Sequence, residues 1–530
     1  MGTKIFKMIP ADINRLPHPV PEFAVVSGSW NDMGKQYAQQ AKDVLSIRVA
    51  EMLGDYIDIF GSYDNVVNVI SGYLEASRQD FPQFIDLLNG MGEELGLASE
   101  VCAILLYGKS MIRVELESCS HCEAWGSATK NGHLITAANV DMDTTTTNYL
   151  PCILAFPEDG NAFICGENFH RNAINEKGVI FQMSGGQNAG PGGAAKGDMR
   201  RMWNDAEVFA IPYCDSAAEA LEVYKSRKYV VGCNQFIGDS SNDAFIIEFT
   251  ADKFFVRRAG DCGEKDFLLA NNGYMAPKLQ ENLATGPMYW DDCLPRYWTV
   301  EKLLHENVGA IDLDTLRSAE ACYDYYFPAG WSYVRHEGWQ GIGEWVYGNE
   351  APYPSGWHDG KDAPSGQWTP QMRGSFGAVF RYLMDAEERA FYVMKGESSP
   401  IYANTPGATG TFCKVQLGGS IADIVRRAKN ELNALLEKSE YETETAAGIV
   451  YPGTLAADSV FPGETAAARI TGIHTARGYL LKGITALGMA LCAESMTDTF
   501  EANYYFGKAL TAFCSGQCYA KLALDDPQKI

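Results

Sequence analysis

The residues best placed to do chemistry lie in one segment, Cys119-Ser-His-Cys-Glu-Ala-Trp-Gly-Ser-Ala-Thr-Lys-Asn-Gly-His-Leu-Ile-Thr-Ala-Ala-Asn139-Val-Asp141. A thiol opens a short strand, Lys130-Asn131-Gly132 supplies a tight reversal, and a second strand ends in Asn139-x-Asp141. Asn-Gly between alternating strands is a strong hairpin signal. A hairpin of this length returns Asp141 to the neighbourhood of Cys119. A nucleophile and a carboxylate able to orient and tune a base would then share one place.

Each of these residues also has a plain structural use. Cys119 is one of 14 cysteines, and free cysteine is among the most buried residue types. Asp141 can cap the hairpin, and Asn139 is either a structural or a substrate-binding residue. Cys119 and Cys122 spell Cys-x-x-Cys, a redox pair or half a zinc site. No second such motif follows, Cys514 and Cys518 being four apart, and a structural zinc takes four ligands. The eight histidines have no His-x-x-x-His spacing, so no metal is expected. The Gly-rich run 185–197 lacks Gly-Lys-[Ser/Thr] and is a pocket-edge loop, not a P-loop. The aromatic cluster Tyr323, Tyr325, Tyr326, Phe327 and Trp331 is expected in a core.

The segment resembles the nucleophile region of the cysteine N-terminal-nucleophile (Ntn) hydrolases related to acyl-coenzyme A:6-aminopenicillanic acid acyltransferase. That pattern runs Cys-[Ser/Thr]-x5-Gly-x-Ala-Thr-x-x-Gly, then [Arg/Gln]-Asn-x-Asp. Cys119, Ser120, Gly126, Ala128, Thr129, Gly132, Asn139 and Asp141 match it. Phospholipase B-like and choloylglycine hydrolase sequences are similar more weakly. Residues 171–180 (RNAINEKGVI) resemble the family's Met-Asn-Glu-x-Gly-Leu strand, and Leu269-Ala270-Asn271-Asn272-Gly273 resembles its oxyanion-hole segment. The likeness spans roughly residues 95 to 400. One departure is Ala138, where the choloylglycine and penicillin acylase branch carries Arg; a substrate carboxylate or sulfonate held there is not expected.

The resemblance implies an αββα sandwich of two antiparallel sheets over 119–403, behind a helical prosegment (1–118) and ahead of a helical C-terminal region (404–530). It implies self-cleavage between Ser118 and Cys119. The freed α-amine, with a reference pKa of about 7.7–8.0, would then take the thiol proton within the same residue. Asp141 would orient that amine. Asn271, otherwise a turn residue, would stabilise the oxyanion. The implied reaction is hydrolysis of a small acyl amide through a thioester on Cys119, without a cofactor. Transfer to an amine acceptor, or use of acyl-coenzyme A, follows where the acceptor outcompetes water. The prosegment would stay associated after cleavage. Three other classes share parts of the pattern: a phospholipase B-like or N-acyl lipid amidase, a cysteine dipeptidase, and a non-catalytic interaction protein on the same fold. The 118 residues ahead of Cys119 count against the dipeptidase.

The rest of the chain must position this segment. Its 530 residues are 46% hydrophobic and 12% aromatic, enough for a large core. A formal charge of −24 repels phosphate backbones and anionic lipids, which argues against nucleic-acid partners. No apolar run reaches the ~18 residues of a membrane span, and the N-terminus has no apolar signal core, which predicts a cytoplasmic protein. Residues 24–118 have helical spacing, with Asn31 as a cap and further helices over 84–97 and 101–116. From Cys119 to about Ile401 short strands alternate with turns. Two hairpins are expected around 250–252 and 385–388, and helices over 216–225 and 314–323. The polar stretch 347–374 is long for a loop and suits either a lid or a surface excursion. Ser420 and Asp423 form a capping box, and a second helical stretch covers 466–522, with 483–493 as a buried helix.

Overall fold

The computed structural model describes residues 21–107, 119–141, 150–166, 168–185, 203–230, 232–261, 264–276, 279, 294–320, 324–327, 344–347, 367–370, 378–395, 411–450, 462–521 and 524. The fold is mixed α+β. Two large sheets lie face to face, with helices on their outer faces.

The first strand is a departure from the all-helical expectation for the N-terminal region. β1 (Phe23–Gly28) is a β-branched FAVVSG run, which favours extended backbone. It pairs in parallel with β4 (Cys152–Pro157) at the edge of a nine-stranded sheet. The chain then enters α1 (Trp30–Gln40), α2 (Lys42–Phe60), α3 (Tyr63–Asp80), α4 (Pro82–Leu95) and α5 (Ser99–Tyr107). Ser29, not Asn31, caps α1: its hydroxyl accepts from the Asp32 amide at 3.2 Å. The expected 101–116 helix is described only to Tyr107, where α5 ends.

The strands after Cys119 are β2 (Ser120–Ala124), β3 (Ile135–Asp141), β5 (Phe163–Cys165), β6 (Ala173–Asn175), β7 (Ile180–Gly185), β8 (Cys233–Gly238), β9 (Ala244–Phe249), β10 (Phe254–Arg257) and β11 (Phe267–Asn271). Later ones are β12 (Asp324–Phe327), β13 (Glu344–Tyr347), β14 (Gln367–Pro370), β15 (Ala378–Asp385), β16 (Ala390–Lys395) and β17 (Cys413–Gln416). The first sheet runs β1-β4-β5-β6-β7-β8-β9-β10-β13, the second β11-β2-β3-β15-β16-β17, and β12 pairs with β14 alone. Every pairing in the two large sheets is antiparallel except β1 with β4. The hairpins expected around 250–252 and 385–388 are β9–β10 and β15–β16.

Three apolar layers follow from the period-2 alternation of the strands. The outer face of the first sheet packs on α1–α5 and on α6 (Trp203–Tyr213) and α7 (Ala217–Lys225). Between the sheets lie Val25, Leu154, Ile180 and Phe236 against Val140, Leu268, Phe380 and Tyr382. The outer face of the second sheet carries Cys122, Ala137, Leu269 and Leu383 under α8 (Leu294–Asn307) and α9 (Leu313–Glu320).

The C-terminal helices are α10 (Ile421–Val450), α11 (Pro462–Ser495) and α12 (Thr499–Lys521). The capping box at the start of α10 forms as expected: the Ser420 hydroxyl accepts from the Asp423 amide, and the Asp423 carboxylate accepts from the Ser420 amide. The single stretch expected over 466–522 breaks where Thr497 takes φ 60°. Within 483–493 one face is buried and the other is exposed at Ile484 and Met489. Both flanks of the 119–403 region also feed the sandwich. β1 belongs to the first sheet and β17 to the second, and α12 ties to both through Thr511 to Phe23 and Gln517 to Lys414. The 347–374 stretch is described only at Tyr347 and in β14, and the Gly-rich run only at Gly185; the rest of both lies outside the described residues. The aromatic cluster is described only as the backbone of β12. Among the described residues no helix is long and apolar enough to cross a membrane.

Helix α1 packs on α4 at backbone contact. A Cβ on Gly34 would fall on the Leu87 carbonyl, and one on Gly90 would fall on the Asn31 carbonyl. Gly34→Ala should therefore destabilise by about 1–3 kcal/mol through overpacking, despite the roughly 1 kcal/mol helix-propensity gain of Ala over Gly. Equilibrium denaturation of the variant against wild type measures this, and an unchanged midpoint would show that the helices can separate freely.

Candidate active site

The β2–β3 hairpin forms as expected, but its strands are joined by residues 125–134, with a 3-10 turn at Gly126–Ala128, and not by a tight reversal at 130–132 alone. Gly126 and Gly132 take positive φ, and the register sets Ser120 opposite Asn139, His121 opposite Ala138 and Cys122 opposite Ala137. On its other side β2 pairs with β11, with Asn271 opposite Ser120. The start of β2 thus meets the ends of both neighbours. Cys119, Asn139, Asn271 and Asn272 are all buried; Asn139 and Asn271, both in register with Ser120, share its face by strand alternation, while Cys119 takes the inter-sheet face. Asp141 ends β3 two positions past Asn139 and pairs with Ala378 of β15. Ser118 lies outside the described residues.

Cys119 sits in the inter-sheet layer, whereas Cys122 sits in the layer under α8 and α9. The strand turns the two thiols to opposite faces, so the Cys-x-x-Cys spacing does not make a paired redox or zinc site. The Cys119 carbonyl accepts from Arg296 Nη1 at 2.9 Å, and Arg296 Nη2 donates to Asn272 Oδ1 at 3.2 Å. Asn272 Nδ2 in turn donates to the Gly185 carbonyl at the end of β7. One guanidinium from the first turn of α8 therefore holds the Cys119 carbonyl and an asparagine amide, a planar two-point grip suited to Arg.

The Asn271 region is pinned from several sides. Its Oδ1 accepts from the Gly273 amide at 2.8 Å, which makes Nδ2 the donor end of the side chain. Its carbonyl accepts from Ser184 Oγ and from Asn234 Nδ2, at 2.7 and 2.6 Å. Behind it, buried Arg257 donates to Glu248 at 2.8 Å, to Glu264 at 2.9 Å and to the Leu269 carbonyl at 2.7 Å. The second Glu248 oxygen accepts from the Met275 and Ala276 amides. This network bolts β9 and β10 of one sheet to the segment that carries Asn271 and Asn272 in the other.

On the α9 side of β2 lies Glu320. It accepts from Ser120 Oγ at 2.5 Å and from Asn139 Nδ2 at 3.0 Å, and its carbonyl also accepts from Asn139. The Asn139 amide nitrogen is thereby bound to Glu320, while its Oδ1 is buried without a partner among the described residues. Burial pushes the Glu320 carboxyl above its ordinary range, against the pull of Ser120, His121 and Arg296. Burial pushes Cys122 well up, and Glu320 and Glu123 add to the effect.

Residues 171–180 turn out to be architectural. Asn175 Oδ1 accepts from the Lys177 and Val179 amides, and its Nδ2 donates to the Ile211 and Cys214 carbonyls. Gly178 has φ 83°, and a Cβ there would meet the Ala386 carbonyl at 2.5 Å. Among the described residues, His133, Asp385 and Glu387 could group around a metal ion. They lie at the turn end of the β2–β3 hairpin, away from Cys119. Asp385 already caps the Glu388 amide, and Glu387 accepts from the Leu134 amide. Sequence reasoning missed Arg296, Glu320, Asn234 and Arg257. The one signal for Asn234 is a polar residue in an otherwise inward apolar strand position. Arg296 and Glu320 gave no signal, since their partners are 177 and 200 residues away.

No family model and no curated protein matches this chain. Among solved structures it is similar to penicillin V acylase from Agrobacterium tumefaciens, at 11% identity over 56% of this chain and 86% of that one, with TM-score 0.32. It is also similar to a mutant conjugated bile acid hydrolase from Clostridium perfringens, at 11% identity over 52% and 89%, with TM-score 0.30. Likeness at this level carries nothing about the site.

The raised Glu320 carboxyl makes stability pH-dependent. A carboxyl whose folded pKa exceeds its unfolded value destabilises the fold as pH rises from the unfolded value through the folded one, and the penalty persists above. Glu320→Gln keeps the acceptor for Ser120 and removes the charge. The variant should melt higher than wild type at pH 7–8, with the difference closing as pH falls to about 4.3. Thermal melts across pH 4–8 test this, and a gap that widens toward acid would contradict it.

Proposed function

We propose that this chain is a self-cleaving cysteine amidohydrolase of the Ntn type, on an αββα sandwich, acting on a small acyl amide through a thioester on Cys119. The observation that carries this reading is the position of Cys119. It stands at the head of a central strand, where the ends of both neighbouring strands meet, with its carbonyl held by Arg296, which also bonds Asn272 Oδ1.

Attack of the Cys119 thiol on the Ser118 carbonyl, an N-to-S shift and hydrolysis would free the Cys119 amine. That amine then accepts the thiol proton in each turnover, and Asp141 keeps it oriented. Asn271, presenting Nδ2 as its donor end, stabilises the tetrahedral oxyanion together with backbone amides. Arg296 holds the main chain of the nucleophile, so a change of its position moves both amine and thiol. Retention of residues 1–118 after cleavage is supported by β1 inside the first sheet and by α1–α5 as that sheet's outer layer. Transfer of the acyl group to an amine follows the same thioester when an amine reaches it before water.

Purified protein should give two fragments, residues 1–118 and 119–530, by intact mass and N-terminal sequencing. Cys119→Ala should remain one chain and lose amide hydrolysis. A wild-type protein that stays whole, yet hydrolyses amides as fast in the Cys119→Ala form, would end the reading. Asn271→Ala acts on charge that develops only in the transition state. It should lower kcat by roughly 10²-fold or more with little change in KM, measured on a panel of N-acyl amines after a thermal melt confirms folding.

A further inference from the structure

We propose that His121, backed by Glu123, is the base that deprotonates Cys119 in the uncut chain and so starts self-cleavage. The proposal rests on the reading of Cys119 as a self-cleaving nucleophile. It fills a gap in it: before cleavage the nitrogen of Cys119 is a peptide amide and cannot accept a proton, so the first step needs a base that already exists.

Position comes first. Residues at i, i+2 and i+4 of a strand share a face. Ala270 and Leu268 of β11, which pair with His121 and Glu123, lie in the inter-sheet layer with Cys119. Tyr382 and Met384 of β15, in register with the β3 residues across from them, lie in that layer too. Cys119, His121 and Glu123 therefore form one inward row. Neighbouring members stand about 6–7 Å apart along the strand, within reach of a thiol–imidazole hydrogen bond when the ring leans along it. His121 is flanked across the strands by Ala138 and Ala270, two methyl-sized side chains that leave room at the ring.

Orientation comes second. His121 Nδ1 lies 2.5 Å from Glu123 Oε1, and both residues are fully buried. The two ring nitrogens look to opposite sides of the imidazole, so a bond from Nδ1 to Glu123 aims Nε2 back along the strand toward Cys119. His121 Nε2 is a buried atom with no hydrogen-bond partner among the described residues. A buried polar atom without a partner is costly, and a proton-accepting lone pair beside a nucleophile is a use that explains it. Burial pushes the Glu123 carboxyl upward, and its contact with His121 pulls it back. A carboxylate that fixes the tautomer and supports the imidazolium is the arrangement that serves nucleophiles on unrelated folds.

The step balances. The thiol proton passes to His121 Nε2, and the thiolate forms a bond to the Ser118 carbonyl carbon. The Ser118–Cys119 C–N bond breaks, and the imidazolium returns its proton to the departing nitrogen, which becomes the α-amine. Water then hydrolyses the thioester, leaving the Ser118 carboxylate and the free thiol.

The test compares wild type, His121→Gln and Glu123→Gln, purified as full chains, by intact mass over time and by thermal melt. His121→Gln should persist as one 530-residue chain and cleave at least about 10²-fold more slowly than wild type. Glu123→Gln should fall between the two. Hydroxylamine, which cuts a chain wherever the thioester has formed, should release no fragment from His121→Gln. A folded His121→Gln cut at the wild-type rate, or cut by hydroxylamine as readily, would overturn the assignment. If His121→Gln does not fold, Glu123→Gln decides: slower cutting with an unchanged melt supports the dyad, and wild-type cutting overturns it. Failure of the underlying reading looks different, because wild type itself would then stay uncut.

Discussion

The arrangement depends on the register of β2 between β3 and β11. With Ser120 opposite both Asn139 and Asn271, the side chains of Cys119, His121 and Glu123 enter the inter-sheet layer, while Ser120 and Cys122 turn to Glu320 beneath α9. A slip of one residue would exchange the two sets. It would put a carboxylate and an imidazole under the helices and remove the thiol from its neighbours. The connection over 125–134, closed by the Gly126 amide on the Gly132 carbonyl, joins the two strands, and Glu320 locks the register from outside by holding one residue from each strand.

A second constraint acts across the sheets. Arg257, fully buried, is neutralised by Glu248 and Glu264 and also holds the Leu269 carbonyl. Removing one partner of such a buried cluster typically costs about 3–5 kcal/mol, because an uncompensated charge remains. The same Glu248 caps the amides of Met275 and Ala276. The segment between, with Asn271 and Asn272, is thus fixed at both ends, and Arg296 passes that rigidity to the Cys119 carbonyl.

Local signals in the sequence were legible, and distant ones were not. The hairpins and the capping box at Ser420 follow from turn chemistry and alternation over a few residues. β1 escaped because six residues at the head of a helical region carry too little periodicity to stand apart; only its β-branched content marks it. The cap at Ser29 lost to Asn31 by two positions, the usual uncertainty of helix ends. The Cys119–Cys122 spacing looks like a pair in the sequence, and the strand sets the two sulfurs on opposite faces. Arg296, Glu320 and Arg257 reach the site through the sandwich, where chain distance says nothing about contact. The His121–Glu123 pair lies in plain view as i, i+2 just after Cys119, yet its meaning requires knowing which face Cys119 takes.

The central claim is that Cys119 attacks as an N-terminal residue. The most direct measurement is acid quench of the enzyme during turnover of an N-acyl amide it hydrolyses, followed by proteolysis and mass spectrometry of the peptide containing Cys119. The account predicts an acyl group on the Cys119 sulfur, in a peptide whose first residue is Cys119 with a free amine. An acyl group on any other residue would contradict it, as would one on a Cys119 still joined to Ser118.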